Sequence, residues 1–246
     1  MSSATILSNN DRAVLGALFD PEASLDRDCT TNIQHDTIDL PSNGIHDTVV
    51  AREQQAIALV DSPSPSQQDV ESAIIRFTDL TTAHPYYASA YNNRAQAYRL
   101  LPNSETDSSI LYNILLDLEQ AISVATRPSP LSPVGAHHAR VLASAHTHRG
   151  YLLLRASTSP AFLELLKSLR LPSLFNTTTP AEFEELASAD FAVAGRYGNK
   201  TARDLAVRTN PYAKLCGQIV KEALQREIKT YYEGMRVVDS ADGAVR

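Results

Sequence analysis

Residues 90–98 read Ala90-Tyr91-Asn92-Asn93-Arg94-Ala95-Gln96-Ala97-Tyr98. An aromatic is followed by a small residue one helical turn on, and by a second aromatic one turn further, so Tyr91, Ala95 and Tyr98 share a helix face. A stripe with a hole in its middle suits a helix that crosses a neighbour closely: the small residue lets the backbones approach, and the aromatics fill the space beside it. Helix–turn–helix repeats of roughly 34 residues carry this pattern on their first helix and Ala-x-x-x-Phe on their second, with proline closing the unit.

Two further stretches carry parts of the same pattern. Ala56 occupies the small position of a first unit, followed by Ala73, Phe77 and Pro85. In the second unit Tyr91, Ala95 and Tyr98 are followed by Ile114, Leu118 and Ala121. In the third, His146, Gly150 and Leu153 precede Ala187, Phe191 and Ala194. The expected fold is therefore all-α, a right-handed superhelix of helical hairpins with three repeats and capping helices.

Turn-formers set the boundaries. Residues 1–47 are expected to hold an N-terminal capping helix (Ala13, Val14, Ala17 and Leu18 behind Asn10 and Asp11) and then a flexible segment, with 22–47 polar and aperiodic. Residues 48–234 hold the repeats and the C-terminal capping helices, with an insertion at 156–180, and 235–246 form a disordered tail. Within this span helices are expected over 48–60, 69–82, around Tyr91–Tyr98, through Leu111, Leu115, Leu118 and Ile122, and over 138–155. Thr179-Pro180-Ala181-Glu182 is a capping box with proline at the first helical position, opening a helix that Gly198 terminates. A helix over 200–208 and a long one from Asn210-Pro211 to about Gly234 complete the chain, and no alternation is sustained enough to build a sheet.

Composition narrows the function. The 246 residues carry 22 Lys and Arg against 28 Asp and Glu, a net charge of −6, which disfavours a nucleic-acid partner. No run approaches the length of a membrane span, and the first twenty residues lack a basic stretch leading into an apolar run, so a cytoplasmic location is expected, with the nucleus also open. Nine glycines, none in a phosphate-binding pattern, argue against a nucleotide-binding α/β fold. Cys29 and Cys216 are too few for a disulfide framework or a thiolate zinc site.

Catalytic and metal readings fail on geometry. His146 and His148 point about 200° apart on a helix, and His138 lies about 12 Å of rise from His146, so these three and His137 do not converge on one ion. Cys216 has no histidine beside it in sequence and reads as a packing residue. No catalytic residue, metal or cofactor is expected. The insertion carries Phe162, Leu163, Leu165, Leu166, Leu169, Leu171, Leu174 and Phe175, too much apolar surface to stay in water. Packing on the outside of the third hairpin is the favoured reading; a partner-binding helix or a plug across the groove are the alternatives.

Four strings carry a family resemblance: Asn10-Asp11-x-Ala13-Val14-Leu15-x-Ala17-Leu18-Phe19-x-Pro21, Ala88-Ser89-Ala90-Tyr91-Asn92-Asn93-Arg94-Ala95-Gln96-Ala97, Asp117-Leu118-Glu119-Gln120-Ala121, and Asn210-Pro211-Tyr212-Ala213-Lys214-Leu215-Cys216. In these the chain resembles the tetratricopeptide repeat protein 36 family. The insertions at 101–108 and 156–180 and the longer C-terminal helix depart from it. The resemblance implies a non-enzymatic adaptor of tetratricopeptide-like repeats with a concave groove for a protein partner, and a co-chaperone role beside an Hsp70-type chaperone.

Repeat proteins that hold a chaperone's C-terminal tail do so with a clamp of Lys, Asn and Arg that converge on carboxylates. At the corresponding positions this chain has Glu53, Ile57, Asn93, Ser144 and His148, of which only Asn93 fits, and Glu53 would repel an acidic tail. The same spacing gives a groove-facing set of Ser89, Asn92, Asn93, Gln96 and Arg99, with Thr147, Tyr151 and Leu154 from the third unit. Asn92 and Asn93 are read equally well as ties between neighbouring repeats, and Arg94 and Arg149 as salt bridges to a neighbouring helix. A monomeric adaptor is the leading expectation. The alternative is an assembly subunit that self-associates through the leucine-rich insertion or the C-terminal helix.

Overall fold

Local capping chemistry sets most helix starts. The computed structural model describes residues 33–34, 45–126, 134–174 and 176–242. Helix α1 spans Ile45–Val60, α2 Gln67–Ala83, α3 Ala88–Arg99, α4 Ser108–Ala125 and α5 Ala136–Thr158. They are followed by α6 (Pro160–Ser168), a 3-10 turn (Pro172–Leu174), α7 (Pro180–Arg196), α8 (Lys200–Thr209) and α9 (Pro211–Asp242). Ser66, Asp107, Ser159 and Asn199 each accept a hydrogen bond from a backbone N–H in the first turn of α2, α4, α6 and α8. The Thr179–Glu182 capping box forms as the sequence predicts. Gly198, at φ +95°, takes the left-handed conformation just beyond α7.

The described chain is all-helical apart from one short feature. Ile33–Gln34 (β1) pairs in parallel with Val134–Gly135 (β2), which places a piece of the expected 22–47 loop beside the start of α5. Two residues are too few for side-chain alternation to show, so periodicity does not reveal these strands. The expected helix around Ala13–Leu18 lies outside the described residues, as does Phe175. Helix α9 runs to Asp242, past the expected end near Gly234 and into the stretch read as tail.

Packing follows chain order. Helices α1 to α5 each contact the next, α5 packs on α7 and α7 on α8, while α3 also touches α1 and α5. The small and aromatic positions singled out in the sequence are interior: Ala56, Ala73, Phe77, Ala95, Leu118, Ala121, Ala187, Phe191 and Ala194 are all fully buried. Gly150 shows why one position must be small, since a Cβ there would lie 2.9 Å from the Phe191 ring and 3.2 Å from Asp190 Cβ. Two apolar clusters result. One joins Val49, Ala56, Ala73, Phe77, Leu80, Tyr87, Ala90 and Ala97; the larger runs from Ala88 and Ala95 to Ala202.

The insertion belongs to the larger cluster. Phe162, Leu163, Leu166 and Leu171 are buried within it, and α6 packs against α4 and α5. The Arg155 guanidinium stacks over the Phe162 ring at 5.0 Å.

Candidate functional site

Helix α3 places Asn93, Gln96 and Arg99 on the side facing α1 and α5. Asn93 Nδ2 donates to Glu53 Oε1 at 2.8 Å, and the Tyr87 hydroxyl donates to the other oxygen of the same carboxylate. Burial and the Glu53 charge push the Tyr87 hydroxyl well above its ordinary pKa, so it stays a donor. Glu53 is thus a buried acceptor that fixes α1 to α3. One turn on, Gln96 Nε2 donates to Ser144 Oγ at 2.9 Å, which ties α3 to α5. Arg99 lies 5.1 Å over the Tyr151 ring. On α5, Thr147 accepts from Asn199 Nδ2 at 2.8 Å.

The α3 and α5 side chains of this set border one groove of about 1040 Å³. Asn93, Gln96, Arg99, Thr147 and Tyr151 all line it, as the helical spacing predicts. Ser89 and Asn92 line a smaller recess of about 370 Å³, which shares Asn93 and Gln96 with the groove. Asn92 is buried; its Nδ2 donates to Asn93 Oδ1 at 3.3 Å on the same helix and its Oδ1 has no hydrogen-bond partner, so it does not act as a tie between helices. Asn93 does, through Glu53 and not through backbone. Leu154 is not at the groove; it packs against the larger cluster.

Several lining residues escaped the sequence reading. Arg140 sits one and two turns before Ser144 and His148, and this α5 row was legible in the spacing. Asp61, Tyr197 and Asn199 come from helix ends far away in sequence, where no periodic signal points into a groove. His148, read in the sequence as a clamp position and rejected as a metal ligand, lines the groove at 7% exposure with neither ring nitrogen partnered. Burial, aided by the Arg99 charge, lowers its pKa to about 4, so the ring is neutral near pH 7.

Away from the groove, Arg94 and Arg149 form the expected salt bridges. Arg94 holds Asp117 on α4 through two bonds of 2.6 and 2.8 Å and also donates to Thr78 and Thr81 on α2. Arg149 holds Asp190 on α7 at 2.7 and 2.8 Å, and His146 Nδ1 lies 2.8 Å from the same carboxylate. Burial alone would raise the Asp190 pKa, but Arg149 and His146 outweigh it and hold the carboxyl below its ordinary value. His137 stacks on Tyr87. Among the described residues no three His, Cys, Asp or Glu side chains converge on a metal position, and no helix is long and apolar enough to cross a membrane.

Fold and groove together define an all-helical protein whose helices pack in chain order beside an open cleft of mixed polar and apolar lining. No family model and no solved structure matches the chain. Among curated proteins it is 41% identical to the L-tyrosine degradation gene cluster protein hmgX of Aspergillus fumigatus, over 91% of this chain and 94% of that protein. It is 28% identical to tetratricopeptide repeat protein 36 of Danio rerio over 89% of this chain and 94% of that one. The human protein of that name is 24% identical over 87% and 93%. The chain belongs to the tetratricopeptide repeat protein 36 family.

Proposed function

We propose that this chain is a non-enzymatic, cytoplasmic adaptor of three tetratricopeptide-like repeats, which receives a protein partner that acts in L-tyrosine degradation. The observation that carries the reading is the groove itself. Helices α3 and α5 present amides, hydroxyls, two arginines and a tyrosine to an open cleft, a set suited to an extended segment's backbone and side chains. The process is taken from the name of the Aspergillus relative, which shares most of its length with this chain. A co-chaperone role, if this chain has one, would run through another surface. Glu53 is committed to Tyr87 and Asn93, and Ser144 and His148 bring no cation to the clamp positions.

Affinity capture from extract of the source cells, wild type against Asn93→Ala/Arg99→Ala, tests this. The expected prey is a protein of L-tyrosine degradation that the double variant loses. Prey retained equally by the double variant would refute the groove assignment.

A further inference from the structure

Two buried polar side chains meet the seam between α3 and α5 with bonding capacity that the chain does not use. Asn92 is 5% exposed and its Oδ1 has no hydrogen-bond partner; His148 is 7% exposed and neither ring nitrogen has one. A buried polar atom left unsatisfied costs the chain its hydration, so such a pair marks a place where something polar is received. Asn92 lines the recess of about 370 Å³ and His148 the larger groove. Asn93, Gln96, Arg140 and Ser144 line both, so the two spaces are continuous.

The recess has opposite electrostatic character on its two sides. On the α3 side, the Glu53 carboxylate holds Asn93 at 2.8 Å, and Asn92 Oδ1 offers a lone pair beside it. On the α5 side stands Arg140, exposed and without a salt bridge among the described residues. A guanidinium takes a carboxylate and a carbonyl oxygen takes an ammonium, so the recess matches a molecule that carries both, the head group of an α-amino acid. Along α5, Arg140, Ser144 and His148 follow at four-residue steps into the groove, about 12 Å of rise from first to last. A para-hydroxylated aromatic amino acid spans about 8 Å from carboxylate to hydroxyl, and the length of the arginine side chain covers the rest. The His148 ring is neutral near pH 7, so one of its nitrogens is an acceptor for a phenolic O–H.

We propose that the α3–α5 seam binds a free aromatic α-amino acid with a phenolic hydroxyl, L-tyrosine, its carboxylate on Arg140, its ammonium on Asn92 Oδ1 and its hydroxyl on His148. The head-group site rests on its own residues, while the choice of L-tyrosine rests in part on the role in L-tyrosine degradation proposed above. Because Asn93 and Gln96 serve recess and groove alike, the amino acid and a partner segment share a wall, and each bears on the binding of the other.

Calorimetric titration of the full-length chain with L-tyrosine near neutral pH tests it. The expected result is saturable binding, with tyramine (no carboxylate), 4-hydroxyphenylpropionate (no ammonium) and L-phenylalanine (no hydroxyl) each weaker by about tenfold or more. Arg140→Ala removes an exposed side chain, and Asn92→Leu exchanges the unpartnered amide for an apolar group of similar volume. Each should weaken L-tyrosine binding by about the same factor and leave the helical signal unchanged. His148→Leu should remove the preference for L-tyrosine over L-phenylalanine. Absence of saturable binding up to the solubility limit of L-tyrosine overturns the proposal. So does equal binding of L-tyrosine, tyramine and 4-hydroxyphenylpropionate, or wild-type affinity in Arg140→Ala. A partner still captured by a chain that does not bind L-tyrosine would sink this inference and leave the groove reading standing.

Discussion

His148 makes stability depend on pH in a definite direction. Its pKa is about 4 in the folded chain against 6.5 for a free imidazole. Above pH 6.5 the ring is neutral in both states and the full stability is present. As pH falls from 6.5 towards 4 the unfolded chain takes up a proton that the folded chain refuses, so stability drops, by about 3 kcal/mol across the window. Urea unfolding at pH 7.5 and pH 5 should show the loss, and His148→Leu should shrink the difference between the two; an unchanged difference would exclude this residue as its source. The depressed carboxyls of Asp190 and Glu182 act at lower pH, below their ordinary values. Little of this was legible in the sequence, because a histidine's fate is set by what lies across from it. The tight positions were legible: Ala56, Ala95 and Gly150 were marked by their spacing alone, and all three are interior.

At the scale of elements, α6 separates two readings of one leucine-rich stretch. Composition shows that such a stretch must be buried, but not against which surface. Here it completes the core beside α4 and α5, with Leu166 2% exposed. Leu166→Ala should therefore lower unfolding free energy by about 2–5 kcal/mol, as for other buried leucines, and leave the protein's mass in solution as it was. A variant of native stability but altered mass would return the insertion to the role of an interface. Most helix boundaries could be read because caps are local: Thr179-Pro180-x-Glu182 and Gly198 act within a few residues. The β1–β2 pairing joins segments about a hundred residues apart through two residues each, and no local pattern announces it. The same limit applied to the groove: the α3 and α5 walls follow from helical period, while Tyr197 and Asn199 arrive from a turn that only the fold brings near.

Over the whole molecule, the two apolar clusters divide the chain into a small N-terminal part on α1 and α2 and a larger part on α4 to α8. Chains whose helices contact mainly their neighbours open piecewise, so the smaller part should open at lower free energy. Native-state hydrogen exchange should find amides of α1 and α2 less protected than those of α5 and α7, and equal protection throughout would show that the chain opens as one unit. Helix α3 belongs to both parts, since Ala90 and Ala97 sit in one cluster and Ala88 and Ala95 in the other. It also carries Asn93, Gln96 and Arg99. Anything seated in the cleft therefore grips the wall that the two halves share, and an occupant felt at three side chains would slow exchange from α1 through α7, so that loading the protein and hardening it against unfolding become one event.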